Sequence, residues 1–87
     1  MPREKRPPSR FRRVFGERLK LARKAQELTI FDVAYLARVD WSYVVNIESG
    51  KQNPSLDVMD ALAQAVGIPL PEMFRMPEEI QGNEDLE

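Results

Sequence analysis

The chain has 87 residues, enough for one small domain but too few for a large enclosed substrate cavity. It contains no cysteine and no histidine, which excludes disulfides, thiolate metal sites and the usual general base near neutral pH. Residues 1–25 hold ten Lys or Arg and two acids, whereas residues 26–87 hold three Lys or Arg and twelve acids. We therefore expect no enzyme, no cofactor or metal and no small-molecule substrate. No apolar run approaches the roughly 18 residues of a membrane span, so no membrane association is expected.

The two ends of the chain differ from its middle in composition. Residues 1–13 combine three prolines with many basic side chains, and too few apolar groups are present to offset the entropy of ordering. This predicts a flexible basic arm suited to a polyanion. Its basic residues are Arg3, Lys5, Arg6, Arg10, Arg12 and Arg13. Residues 77–87 predict a flexible acidic tail, which leaves residues 14–76 as the folded domain.

Apolar residues between these ends repeat at helical spacing and predict an all-α domain of five short helices. The first helix is predicted from about Val14 to Gln26. Thr29 then stands as an N-cap, with Asp32 three residues later in the capping-box position, so a second helix is predicted to Arg38.

The third helix is predicted to follow Asp40, as a second N-cap, and to run from Trp41 to Ser49 before Gly50 stops it. Ser55 is predicted to cap a fourth helix that ends at Gly67. A short fifth helix is predicted from Pro69 to Phe74, since proline suits a first helical turn.

Residues 29–38 and 40–49 form a pair of short helices joined by a tight turn, the helix-turn-helix pattern. In that arrangement the first helix crosses the DNA backbone, and the second enters the major groove with its N-terminal side chains facing base edges. Periodicity alone indicates only a small helical bundle, and many bundles do not bind DNA.

Five fragments of the sequence make the indication more specific. They are Leu28-Thr29, Val33-Ala34, Ile47-Glu48-x-Gly50-Lys51, Asn53-Pro54-Ser55 and Leu62-Ala63-x-x-Val66-Gly67-Ile68. With these fragments the chain resembles the lambda-repressor/Cro-like family of Xre-type regulators, over about sixty residues without a gap. The resemblance implies a compact five-helix DNA-binding domain.

The resemblance also implies roles for individual residues. Arg23 and Glu48 match a pair that forms a salt bridge between the first and third helices. Trp41, Ser42 and Asn46 match base-reading positions, and Val45 is expected on the same exposed face and is included with them. Asn46 is expected to bond an adenine bidentately. The predicted contacts to the DNA backbone are Thr29, Ile30, Arg38, Tyr43, Lys51, Gln52 and Asn53. Of these, Ile30 and the loop Lys51-Gln52-Asn53 match backbone-contact positions of the family.

The sequence departs from the family pattern at two kinds of position. Glu27 and Arg38 stand where the family usually has glycine, so both are expected to accept a left-handed or nearby backbone conformation. The family commonly has polar residues at four positions that are apolar here: Ile30, Phe31, Trp41 and Val45. These apolar groups fit thymine methyls, and they equally fit a protein partner.

Two functional hypotheses follow. The first is a sequence-specific transcriptional regulator, a repressor or autoregulator, that binds double-stranded DNA as a homodimer on a palindromic operator. Met73 and Met76 are the candidates for the dimer contact, and the expected location is the cytoplasm, at the nucleoid of a bacterium or with phage DNA. The alternative is a helix-turn-helix scaffold that mainly binds protein through the four apolar residues.

Overall fold

A computed structural model of the protein describes residues 6–76. The elements in chain order are α1 (Phe11–Ala25), α2 (Ile30–Ala37), α3 (Trp41–Glu48), α4 (Leu56–Ala65) and a 3₁₀ helix (Leu70–Phe74). The described part of the chain is helical with no β-strand, which confirms the all-α prediction. None of its helices is long and apolar enough to cross a lipid bilayer. The predicted acidic tail and the first five residues of the predicted arm lie outside the described range.

The fifth element is a 3₁₀ helix rather than the α-helix expected from the sequence. Its backbone bond runs from the Glu72 N–H to the Pro69 carbonyl at 2.9 Å, the i to i+3 pattern of a 3₁₀ turn. Pro69 and Pro71 lack N–H donors, and five residues are too few to build an α-helix around that gap. The Arg18 side chain donates to the Glu72 carbonyl at 3.3 Å and joins this element to α1.

The start of α1 was predicted three residues too late. The helix begins at Phe11, so Arg12 and Arg13 are helical and the predicted arm boundary at residue 13 is wrong for residues 11–13. Two contacts explain the earlier start: the Phe11 N–H donates to Ser9 Oγ at 3.1 Å, and the Phe11 ring packs edge-on against Phe74 at 6.1 Å. The second contact is long-range, so apolar periodicity does not report it.

Side-chain caps start two of the helices, as the sequence predicted. Thr29 Oγ1 accepts from the Asp32 N–H at 3.0 Å, and Asp32 Oδ2 accepts from the Thr29 N–H at 2.8 Å, which completes a capping box at α2. Ser55 Oγ accepts from the Val58 N–H at α4. Asp40 occupies the N-cap position of α3, but its side chain makes no capping hydrogen bond, so that part of the prediction is wrong.

The core lies among all five elements: α1 packs on α3 and on the 3₁₀ helix, and α2 packs on α3 and on α4. The fully buried side chains of that core come from all five elements and their ends: Phe15, Leu19, Val33, Val44, Ile47, Leu62, Val66 and Met73. At roughly 1.5–3 kcal/mol for each large apolar side chain removed from water, this cluster is the main stabilising term of the fold. It holds α2 and α3 against each other and leaves their outer faces to solvent.

Candidate functional site

The turn between α2 and α3 consists of residues 38–40. Arg38 ends α2 with φ 63° and ψ 46°, a left-handed conformation, as its position in the sequence led us to expect. Glu27, the other residue expected to be left-handed, has φ 57°. The Val39 N–H donates to the Ala34 carbonyl at 3.0 Å, and Val39 packs on the core. The turn is therefore anchored from inside, while the Arg38 side chain stays exposed.

The α3 helix has one buried face and one open face. Val44 and Ile47 point into the core with at most 1% exposure. Of the predicted base-reading residues, Trp41 and Ser42 are exposed, whereas Asn46 is half-buried. Ser42 and Asn46 are four residues apart and lie on one side of the helix. The exposed end of α3 is thus its N-terminal end.

An ion pair ties the C-terminal end of α3 to α1. Arg23 Nε donates to Glu48 Oε2 at 2.7 Å, and its NH2 group donates to Oε1 at 3.0 Å, so the two residues predicted to pair are in bidentate contact. A third bond runs from Arg23 NH1 to the Leu28 carbonyl at 3.0 Å. The side chains are only 10% and 6% exposed, and the Glu48 carboxylate raises the pKa of Arg23 against the opposing effect of burial. The bidentate pair therefore fixes α3 relative to α1.

Gly16 allows the closest approach of α1 and α3, a role that our sequence analysis did not identify. A Cβ at this position would overlap the carbonyl oxygen of Ile47 and lie 3.0 Å from that of Glu48. Both are backbone atoms, which have little freedom to move away. The only sequence signal is a glycine within a helical repeat, which is also compatible with an unremarkable exposed position.

The four-residue apolar patch expected on the outer surface is split by the structure. Ile30 is half-buried and packs against the core, and Val45 is half-buried. Phe31 and Trp41 remain 65% and 52% exposed, and their ring centroids are 5.6 Å apart. The exposed part is therefore an aromatic pair that joins the first turn of α2 to the first residue of α3. The α2 helix also exposes Tyr35 one turn further along.

The remaining predicted backbone-contact residues fall into two groups. Thr29 is exposed, but its hydroxyl oxygen already accepts the capping bond, and Tyr43 is half-buried against the core. Lys51, Gln52 and Asn53 form the loop after α3. That loop is held in place because two of its N–H groups donate to the Asn46 carbonyl, that of Lys51 at 2.9 Å and that of Gln52 at 3.3 Å.

The loop and the basic start of α1 meet on one surface. Arg13 borders Gly50: a Cβ on that glycine would lie 3.5 Å from the Arg13 Cα. Arg12 and Asn53 line a common shallow hollow with residues 6–9. The first turn of α1 contains no acid, so its arginines face the positive end of the helix dipole. Arg6 and Arg10 are exposed beside this surface, whereas Arg3 and Lys5 lie outside the described residues.

The candidates for a dimer contact separate in the structure. Met73 has no exposed surface and belongs to the core, so the prediction that it forms a dimer contact is wrong. Its position in the 3₁₀ helix turns it inward, and Phe74 instead packs half-exposed against Phe15 at 5.6 Å. Met76 is half-buried at the end of the described range.

Comparison with protein families matches residues 14–75 to a family described as a helix-turn-helix domain. Among curated proteins, the chain is 42% identical over 53 residues to an immunity repressor protein of Bacillus phage phi105, covering 61% of this chain and 37% of that protein. It is 37% identical over 59 residues to the transcriptional regulator ClgR of Mycobacterium tuberculosis, covering 68% of this chain and 53% of that protein. The chain thus spans about half the length of these relatives or less.

Solved structures resemble the fold over a larger share of their length. The restriction-modification controller protein C.AhdI of Aeromonas hydrophila has a TM-score of 0.70 at 38% identity, covering 72% of this chain and 96% of its own. A hypothetical transcription factor, NHTF, from Neisseria has a TM-score of 0.79 at 22% identity, with 94% of each chain covered. The second likeness supports the fold alone.

Proposed function

The chain belongs to the helix-turn-helix domain family, and from this premise we propose that it is a sequence-specific DNA-binding transcriptional regulator. The names of its relatives support a repressor or autoregulator, since they include an immunity repressor, a transcriptional regulator and a controller protein. These proteins come from bacteria and a bacteriophage, so the proposed place of action is bacterial or phage DNA in the cytoplasm.

The observation that carries the proposal is the division of α3 into a held face and an open face. Its inner face is fixed to α1 by the Arg23–Glu48 pair, and its N-terminal end projects Trp41 and Ser42 outward. A helix in the major groove meets base edges with its N-terminal side chains. Asn46, one turn after Ser42, has the amide donor and acceptor needed for an adenine. We assign base reading to Trp41, Ser42, Val45 and Asn46.

The phosphate contacts are proposed on the surface shared by the start of α1 and the loop after α3. Arg12 and Arg13 lie in the first turn of α1, where each positive charge opposes the helix dipole by about 0.3–1 kcal/mol. Phosphate binding would offset that cost. Lys51, Asn53 and the exposed Arg38 extend the same role along the edge of α3.

We propose a homodimer on a palindromic operator. One α3 helix reads only a few base pairs, and each correct pair contributes about 1–3 kcal/mol of discrimination, too little for selectivity in a genome. Two copies with half-sites about 34–36 Å apart double the number of base pairs read. Met76 remains a candidate for the contact.

The alternative function, a protein-binding scaffold, is favoured by one observation. The α2 helix exposes Phe31, Tyr35 and Leu36 by more than half, an unusually apolar outer face for an eight-residue helix. A docking surface of that kind would capture its partner without DNA. The two functions differ in whether they require Asn46. Base reading by α3 needs its amide, whereas a protein that binds the exposed face of α2 does not contact it.

In-vitro selection of DNA sites with the full chain tests the proposal. We expect a palindromic motif, and Asn46→Ala to weaken binding to it by about tenfold to a hundredfold, the value of one bidentate base contact. Gln64→Ala, an exposed amide on α4, is the matched control and should bind as the wild type does. Recovery of no motif, together with sequence-independent binding that salt abolishes, would count against the proposed function.

A further inference from the structure

In the Phe31–Trp41 pair, the ring of Phe31 positions the side chain of Trp41, which is proposed to face the bases. The two rings are 5.6 Å apart with an interplanar angle of 42°. Phe31 comes from the first turn of α2, so its contact restricts the rotamers of Trp41 at the start of α3. A Trp ring that is already held loses less entropy when it meets a ligand. Its exposed half is thus a preformed apolar surface.

The open face of α3 carries two parallel rows of side chains. Trp41 and Val45 form an apolar row, and Ser42 and Asn46 form a polar row next to it, because residues four apart share one side of a helix. In the major groove an A·T pair presents the same two chemistries side by side. Adenine offers the N6 donor and N7 acceptor, and thymine offers its 5-methyl group.

Resting on the proposed function, we propose that Trp41, positioned by Phe31, recognises the 5-methyl group of a pyrimidine in the major groove. The shared chemistry is that of thymine and 5-methylcytosine. The polar row argues for DNA over a protein partner here, since Ser42 and Asn46 interrupt the apolar surface directly beside the ring. A contiguous exposed apolar patch of several hundred Å² would instead favour a protein partner.

The test removes the methyl group from the DNA rather than the side chain from the protein. Each thymine of the selected half-site is replaced in turn by deoxyuridine, and the Kd of the full chain is measured by fluorescence anisotropy. At one position per half-site we expect about a fourfold loss of affinity, which corresponds to about 0.8 kcal/mol for one buried methyl. A G·C pair at that position, compared with G·5-methylcytosine, shows whether the methyl suffices on either base.

The protein variants show which side chain contacts the methyl group. Trp41→Ala should bind thymine and deoxyuridine sites equally, and Phe31→Ala should reduce the ratio to about twofold. Leu21→Ala is the control: its side chain, on the outer face of α1, is 63% exposed, close to the 65% of Phe31. This variant should keep the fourfold ratio of deoxyuridine Kd to thymine Kd. Circular dichroism spectra of the variants show that they are folded, and the DNA substitutions need no variant at all.

The failures of the two proposals are distinguishable. If selection recovers no site, the proposed function fails, and this inference fails with it. If a site is recovered but no thymine shows methyl dependence, or if the dependence persists in Trp41→Ala, only the inference is overturned. If Trp41→Ala binds the selected site with wild-type affinity, the inference is likewise overturned. The exposed Trp41 ring would then support the protein-binding alternative.

Discussion

The inner and outer faces of α3 differ in how strongly the rest of the chain constrains them. The inner face meets a glycine, a bidentate ion pair and an apolar core, and Val44 and Ile47 are at most 1% exposed. On the outer face, Trp41 packs against the ring of Phe31, while Ser42 is exposed. The side chains that place α3 are therefore not the ones proposed to contact DNA.

This separation has a testable consequence. Substitutions on the inner face should change the free energy of unfolding, and affinity should follow only because less protein is folded. Substitutions on the outer face should change affinity while the free energy of unfolding stays constant. Four sets of variants test whether stability and affinity separate in this way, in order of decreasing expected effect.

Removing Arg23 should have the largest effect. In Arg23→Met the Glu48 carboxylate, whose side chain is 6% exposed, is left without its partner. Breaking a buried pair in this way costs about 3–5 kcal/mol, enough to unfold much of a small domain at 37 °C. Urea denaturation followed by circular dichroism measures it. Arg18→Met, which loses a 4.0 Å contact and a 3.3 Å hydrogen bond to Glu72, is the control and should cost only about 1 kcal/mol.

The double variant Arg23→Met, Glu48→Leu separates stability from positioning. With both charges replaced by apolar groups, most of the lost stability should return. If the pair also orients α3, the refolded double variant should still bind the selected site less tightly than wild type. If the double variant regains both wild-type stability and wild-type affinity, the two charges only neutralise each other and do not orient α3.

Gly16→Ala should have the next largest effect, about 2 kcal/mol of net destabilisation, because overlap with a backbone atom places the overpacking cost near the top of its range. The added Cβ overlaps the Ile47 carbonyl oxygen, so α1 and α3 must move apart, and such overpacking costs about 1–3 kcal/mol. Helix propensity acts in the opposite direction by about 1 kcal/mol. A fall in Tm of about 10 °C or more is expected. A Tm equal to wild type would show that α1 and α3 can separate at no cost; Lys20→Ala, exposed on the same helix, is the control.

Gly16 also marks the limit of what the sequence predicts about the fold. The presence of each helix and the capping box at Thr29 depend on residues close in sequence, and they were predicted correctly. The left-handed Glu27 and Arg38 were also predicted correctly, from the glycines that the family has at those positions. The start of α1 and the burial of Met73 depend on contacts between distant segments, Phe11 with Phe74 and the 3₁₀ helix with the core. Periodicity carries no information about such contacts, and both predictions were wrong.

The candidate site shows the same division. The Arg23–Glu48 contact was expected because the family resemblance relates two positions that are 25 residues apart. The exposed apolar patch was expected because four positions that are commonly polar in the family are apolar here, and only Phe31 and Trp41 of it are exposed by more than half. Whether Ile30 and Val45 face solvent depends on the angle between α2 and α3, which residue type does not determine.

Removing the arginines at the start of α1 should weaken the salt dependence of binding without destabilising the fold, since each charge opposes the helix dipole. Arg12→Gln with Arg13→Gln removes two proposed phosphate contacts, so the slope of log K against log salt should become less steep by about 1.8. Affinity at 0.15 M salt should fall on the order of tenfold, to the same extent for specific and random DNA. Lys20→Gln with Lys24→Gln, exposed further along α1, is the charge-matched control. Equal slopes for the two pairs would show that only net charge matters.

Arg38→Gly should have the smallest effect on stability, and one of opposite sign. Arg38 has φ 63°, where an L-residue is strained by about 1–2 kcal/mol; glycine relieves the strain but loses about 0.5–1 kcal/mol through the flexibility of the unfolded chain. The net expectation is a gain of about 0.5 kcal/mol, a rise in Tm of a few degrees.

Glu27→Gly is the matched control, because Glu27 has φ 57° and an exposed side chain but is not a proposed DNA contact. Both variants should gain stability to a similar extent. Only Arg38→Gly should lose affinity, a few-fold, because a proposed phosphate contact leaves with its side chain. If both variants bind the selected site as the wild type does, Arg38 serves the turn alone. The proposed DNA contacts would then begin at Trp41, and Arg38 would have only a structural role in the turn between α2 and α3.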